Sequence, residues 1–134
     1  MKDNITIFIV DDDEDDKKLF IESAKEVNNS INCITANDGQ EALRFLKDEH
    51  NPIPDYIFLD LRMPRIGGKQ CLEEIIKDKR LCHIPVFIYT TSTDVRDSEA
   101  LKEMGAVHFI SKPADPNDIY YILSVVLNEE WGQN

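Results

Sequence analysis

Five short runs of β-branched and aromatic residues alternate along this chain with five stretches whose apolar residues return every three or four positions. This alternation constrains the fold more than any other feature. The runs "ITIFIV" (5–10), "INCITA" (31–36), "DYIFLDL" (55–61), "IPVFIYTT" (84–91) and "VHFIS" (107–111) predict strands. The fourth is almost continuously apolar, which predicts burial on both faces. Between them, Phe20, Ala24 and Val27 mark a first helix, and Gly39, Leu43 and Leu46 a second that Asp38 can cap. Leu72, Ile75 and Ile76 mark a third, and Val95, Leu101 and Met104 a fourth that Asp94 can cap. Ile119, Ile122, Leu123, Val126 and Leu127 mark a fifth. Strands and helices joined by short connections predict an α/β domain with a mostly parallel sheet covered on both faces.

The 134 residues suffice for one domain with its own core, which should run from about residue 5 to about residue 127. No internal repeat, low-complexity tract or linker interrupts the chain. The net charge of −11 disfavours nucleic acid and anionic membrane surfaces as partners. No apolar run approaches the roughly 18–20 residues that span a bilayer. The first residues lack the pattern of a signal peptide. The three cysteines are widely spaced with no CxxC, and are read as reduced thiols of a cytoplasmic protein. The three histidines have no metal-ligand spacing and are read as incidental.

In open α/β sheets, ligands sit beyond the carboxyl ends of the strands. The first strand ends in Asp11, Asp12 and Asp13, within "FIVDDDEDD". The third ends in Asp60, the fourth in Thr90, Thr91 and Ser92, and the fifth in Lys112. In a parallel sheet these ends share one edge. Carboxylates crowded there repel and raise each other's pKa, which a divalent cation relieves. Oxygen ligands suit Mg²⁺. Lys112 and Thr90 are suited to phosphoryl oxygens, so the set describes phosphoryl transfer to a carboxylate.

With "VDD" (10–12), "LDLRMP" and the following Gly-Gly (59–68), "YTTS" (89–92) and "KP" (112–113), the chain resembles the receiver domains of two-component response regulators, chemotaxis-regulator type. The resemblance runs from about Ile5 to about Leu127. It implies a flavodoxin-like, doubly wound five-stranded parallel sheet in the order 2-1-3-4-5 with five helices. It implies that Asp60 is the phosphoacceptor. It assigns Mg²⁺ to Asp11 or Asp12, to Asp60 and to the backbone carbonyl of Arg62, with Asp12 favoured as direct ligand and Asp11 acting through water. Thr90 and Lys112 take the phosphoryl oxygens. Pro113 is expected after a cis peptide bond. Phe109 stands where the family places an aromatic that turns inward on phosphorylation, and Thr91 would gate the space it enters.

Other readings of the same residues exist. Asp13 to Asp16 are read as first-turn acids on a solvated face, favoured by the helix dipole. Asp11, Asp13, Asp15 and Glu22 imitate a calcium loop, but Asp16 stands where that loop needs glycine. "DDD" also fits a small aspartate-nucleophile phosphatase, which leaves "LDLRMP" unexplained. An unphosphorylated pseudo-receiver serving as an interaction module is a further alternative. By its resemblance, the chain should take its phosphoryl group from a sensor histidine kinase or a phosphotransfer protein. It would be an enzyme only in catalysing its own phosphotransfer and dephosphorylation. Only "NEEWGQN" follows the last helix, so the expectation is a stand-alone receiver that changes its binding surface for an unknown output protein, or one that passes the phosphoryl group onward in a relay. A homodimer through the fourth-helix and fifth-strand face belongs to the same expectation. Arg62 and Ser92 should flank the path of the water that hydrolyses the acyl phosphate, and so tune its lifetime.

Overall fold

The computed structural model describes residues 4–91 and 95–128. Ten elements alternate: β1 (Thr6–Val10), α1 (Glu14–Val27), β2 (Asn32–Ala36), α2 (Gly39–Lys47), β3 (Tyr56–Leu59), α3 (Gly68–Lys77), β4 (Val86–Thr90), α4 (Val95–Met104), β5 (His108–Ser111) and α5 (Asp118–Leu127). The strands form one sheet in the order β2-β1-β3-β4-β5, and every neighbouring pair is parallel. The expected order is therefore the observed one.

Side-chain alternation along the strands divides the core in two. Phe8 and Val10, Ile57 and Leu59, and Val86 and Ile88 face one side, where Leu43 and Leu46 of α2, Leu72 and Ile75 of α3 and Leu101 of α4 cover them. Ile7 and Ile9, Phe58, and Phe87 and Tyr89 face the other, against Phe20 and Ala24 of α1 and Ile119, Leu123 and Val126 of α5. On this second side the Phe58 and Phe87 rings stack at 5.0 Å, and Phe20 meets Phe58 edge-on at 4.8 Å. All five residues of β4 are buried, as its continuous apolar run predicts for a strand covered on both faces.

Local chemistry sets where the helices start. The Asp13 carboxylate caps α1 by accepting the Asp16 N–H at 3.0 Å, and Asp38 caps α2 by accepting the Glu41 N–H at 2.8 Å. The expected Asp94 cap of α4 lies outside the described residues. Gly68 opens α3 because no side chain fits there: a Cβ would meet the Asp60 carbonyl oxygen at 2.3 Å and Leu61 Cα at 2.8 Å. This close approach binds the first turn of α3 to the end of β3, where the site begins.

Candidate functional site at the carboxyl edge of the sheet

The sheet ladder continues one residue past the strand ends and fixes the site residues by their backbones. The Asp60 N–H donates to the Val10 carbonyl at 2.9 Å, the Asp11 N–H to Ala36 at 3.0 Å, and the Lys112 N–H to Thr90 at 2.7 Å. Asp11, Asp60, Thr90 and Lys112 thus share one edge because parallel pairing leaves them no other place.

Asp11 and Asp60 are buried and Asp12 is exposed, and carboxylate oxygens of the three lie within 4.8 Å of one another. One Asp11 oxygen accepts the Asp13 N–H at 2.9 Å; the other lies 2.7 Å from Lys112 Nζ. The same ammonium is 2.8 Å from Asp16 Oδ2 and 3.7 Å from Asp60 Oδ2. Burial pushes the Asp11 carboxyl up to about 6, against the lowering effect of Lys112. Burial alone would draw the Lys112 pKa down, but its hydrogen bonds to Asp11 and Asp16 and the nearby Asp60 charge raise it above the ordinary lysine value. Lys112 is therefore a fixed cation. Its Nζ also lies 5.8 Å from the centre of the Tyr89 ring.

Thr90 is fully buried, and its hydroxyl has no hydrogen-bond partner among the described residues. A buried hydroxyl without a partner costs free energy, so its retention beside two carboxylates and an ammonium fits a site shaped for an oxyanion. Clustered carboxylate oxygens, at least one raised in pKa by burial, fit a hard divalent cation.

Three anticipated residues stand around this centre. Arg62, in the loop after β3, is exposed; Thr91, just past β4, is exposed; Phe109 on β5 is half-buried against the α2–α3–α4 side of the core. Ser92 lies outside the described residues. Two readings need correction. No peptide bond among the described residues is cis, so Lys112–Pro113 is trans, the isomer that X–Pro bonds favour by about 0.5–1 kcal/mol. Asp16 is not a solvated first-turn acid like Glu14 and Asp15. Its carboxylate is one-third exposed and bonded to Lys112, because the start of α1 and the end of β5 share the carboxyl edge of the sheet.

Two further features were not anticipated. Lys17 is buried, with Nζ 2.8 Å from Glu14 Oε1 and bonded to Asn37. Arg65 adopts φ of 63° in the loop after β3 and pairs with the buried Asp38, while the Gly39 N–H donates to the Ile66 carbonyl at 3.0 Å. That loop is thereby tied to the cap of α2.

A doubly wound parallel domain with an acidic pocket and one lysine at its carboxyl edge defines a class, and comparison with known proteins names it. Residues 7–124 match the response regulator receiver domain, and the chain belongs to that family. It is 31% identical over 118 residues to the response regulator Rcp1 of Synechocystis sp., covering 85% of this chain and 80% of that one. The Mn²⁺-bound form of Rcp1 superposes with a TM-score of 0.83 at 29% identity, over 91% of each chain. The phosphorylated cyanobacterial phytochrome response regulator RcpA superposes with a TM-score of 0.87 at 27% identity, over 97% of this chain and 99% of that one. A probable transcriptional regulator, ycf27 of Guillardia theta, is 31% identical over 90% of this chain, which spans only 44% of its length. Receiver domains of this family bind Mg²⁺ and act in phosphorylation-dependent signalling with histidine kinases or phosphotransfer proteins.

Proposed function

We propose that this chain is a single receiver domain working as a phosphorylation-controlled switch, with Asp60 as the acceptor of the phosphoryl group. The observation that carries this reading is the Thr90 hydroxyl, without a partner among the described residues and buried on the same edge as Asp60 and Lys112. An Asp60 oxygen attacks the phosphorus of a phosphohistidine donor. The P–N bond breaks as the P–O bond forms, and the imidazole leaves with the electron pair and takes up a proton. The Thr90 hydroxyl donates to one phosphoryl oxygen and the Lys112 ammonium to another, so both stabilise the charge that spreads over those oxygens in the transition state. Asp12 directly, Asp11 through water, Asp60 and the Arg62 carbonyl would hold Mg²⁺, which supplies further neutralisation of charge.

The donor in this reading is a sensor histidine kinase or phosphotransfer protein. The chain catalyses only its own phosphotransfer and dephosphorylation, in the cytoplasm. Thr90, once bonded to the phosphoryl group, leaves room that Thr91 gates and Phe109 enters. The α4–β5 surface then changes and serves an output protein or a second copy of the chain.

Acetyl phosphate with Mg²⁺ should place one equivalent of acid-labile, hydroxylamine-sensitive phosphate on the wild type and none on Asp60→Asn. Equal labelling of the two proteins overturns the assignment. Absence of label in both points to a pseudo-receiver, and turnover far beyond one equivalent with burst kinetics to a phosphatase.

A further inference from the structure

Lys112 has three N–H donors, and the structure shows how they are divided. Asp11 takes one at 2.7 Å and Asp16 another at 2.8 Å; Asp60, at 3.7 Å, is near but beyond hydrogen-bond reach. Asp11 and Asp60 belong to the carboxylate group able to hold a cation, and Asp16 does not. An ammonium between Asp11 and Asp60 competes with a divalent cation for the same oxygens. A further carboxylate on that ammonium, outside the group able to hold the cation, weakens the competition. Asp16 is placed there by the first turn of α1, where the Asp13 cap holds its backbone N–H at 3.0 Å.

We infer that Asp16 is a positioning residue that draws the Lys112 ammonium away from the Asp11–Asp60 pocket and thereby raises the affinity of the pocket for its divalent cation. The inference rests on the phosphoacceptor reading and names a member of the site outside the ligand and acceptor set. Without Asp16, Lys112 is left to Asp11 and Asp60 alone and neutralises them more fully. The metal then has more to displace and less charge to gain.

The role is separable from the bare charge of Asp16, because it acts through Lys112. Mg²⁺ titrations by calorimetry on the full chain test it with wild type, Asp16→Asn, Lys112→Ala and the double variant. Asp16→Asn should weaken Mg²⁺ binding roughly threefold or more, the scale of a partly buried ion pair. Asp15→Asn removes the same charge from an exposed neighbour in the same turn, and should stay within about 1.5-fold of wild type because solvent and salt screen it. In the Lys112→Ala background, adding Asp16→Asn should change the affinity little, since the intermediary is gone. Lys112→Gln keeps the aliphatic stem and serves the same cycle if Lys112→Ala does not fold. Equal affinities of wild type and Asp16→Asn overturn the inference. So does an Asp16→Asn effect that persists undiminished without Lys112. In either case Mg²⁺ binding and Asp60 labelling by the wild type leave the phosphoacceptor reading standing; a wild type that neither binds Mg²⁺ nor takes label overturns that reading and the inference with it.

Discussion

The Lys112 N–H donates to the Thr90 carbonyl across 2.7 Å, so the two side chains proposed to grip phosphoryl oxygens hang from one backbone hydrogen bond. The bond extends the β4–β5 ladder beyond its last paired residues, Thr90 and Ser111. A shift of Thr90 toward Asp60 is felt at Lys112 without passing through any side chain.

Thr90 itself gives the first prediction. Its hydroxyl is buried without a partner among the described residues, a cost that valine removes at nearly the same shape. Thr90→Val should stabilise the metal-free protein by about 1 kcal/mol. The same variant should bind beryllofluoride more weakly in the presence of Mg²⁺. Urea denaturation and a beryllofluoride titration check the two halves, and a destabilised Thr90→Val would mean that the hydroxyl is satisfied in solution.

Gly68 gives the second. Its added Cβ would lie 2.3 Å from the Asp60 carbonyl oxygen and 2.8 Å from Leu61 Cα, both backbone atoms that yield only if the end of β3 moves. Gly68→Ala should cost about 1–3 kcal/mol and slow labelling of Asp60. Gly67→Ala has one contact at 3.2 Å and an ordinary φ of −77°, and should cost much less. Thermal melts of the two variants side by side test the ordering.

The third concerns acid. The Glu41 N–H, and after it the Arg65 guanidinium, hold the Asp38 carboxyl below its ordinary value of 3.8, against the opposing effect of burial. A carboxyl lowered by folding stabilises the native state above its unfolded pKa, and that stability is lost as pH falls through the folded pKa. Asp38→Asn keeps a capping oxygen and loses the charge. Its unfolding free energy should therefore fall less steeply than that of the wild type below about pH 4. Urea midpoints across that range measure the slope, and parallel curves would remove Asp38 from the acid response.

The fourth concerns signal lifetime. Arg62 is exposed two residues beyond Asp60, and its proposed role is to obstruct the water that would hydrolyse an acyl phosphate there. On the proposed reading, Lys112, and Mg²⁺ when bound, already meet the phosphoryl charge, which leaves obstruction of that water as the expected effect of the guanidinium. Arg62→Ala should shorten the phospho-Asp60 half-life several-fold, roughly 1 kcal/mol in the barrier. Decay of label after removal of the donor decides it; an unchanged or longer half-life makes Arg62 an ordinary solvated loop residue.

The alternation of strands and helices was legible in the sequence because short β-branched and aromatic runs stand between stretches of helical period, whereas the strand order came from the family resemblance. Asp60, Thr90 and Lys112 were legible because each polar residue stands at the end of such a run, where the edge of a parallel sheet must lie. Asp16 was not, since its partner is 96 residues away and an acid in a first helical turn has a sufficient local reason to be there. Lys17 was hidden likewise: nothing in a charged helix start marks which lysine is buried. The Arg65–Asp38 tie depends on a positive φ at a residue other than glycine, which residue type does not announce.

The two-sided core gives the sheet the character of a bulkhead. Phe109 belongs to the core on the side of Leu101, Met104 and Ile76, whereas Phe20, Ile119 and Leu123 lie behind the sheet. If phosphorylation repacks Phe109 as proposed, the change is expected first on the flank of α3 and α4 rather than on the α1–α5 pair. Such a domain can be read on one flank while it is held on the other.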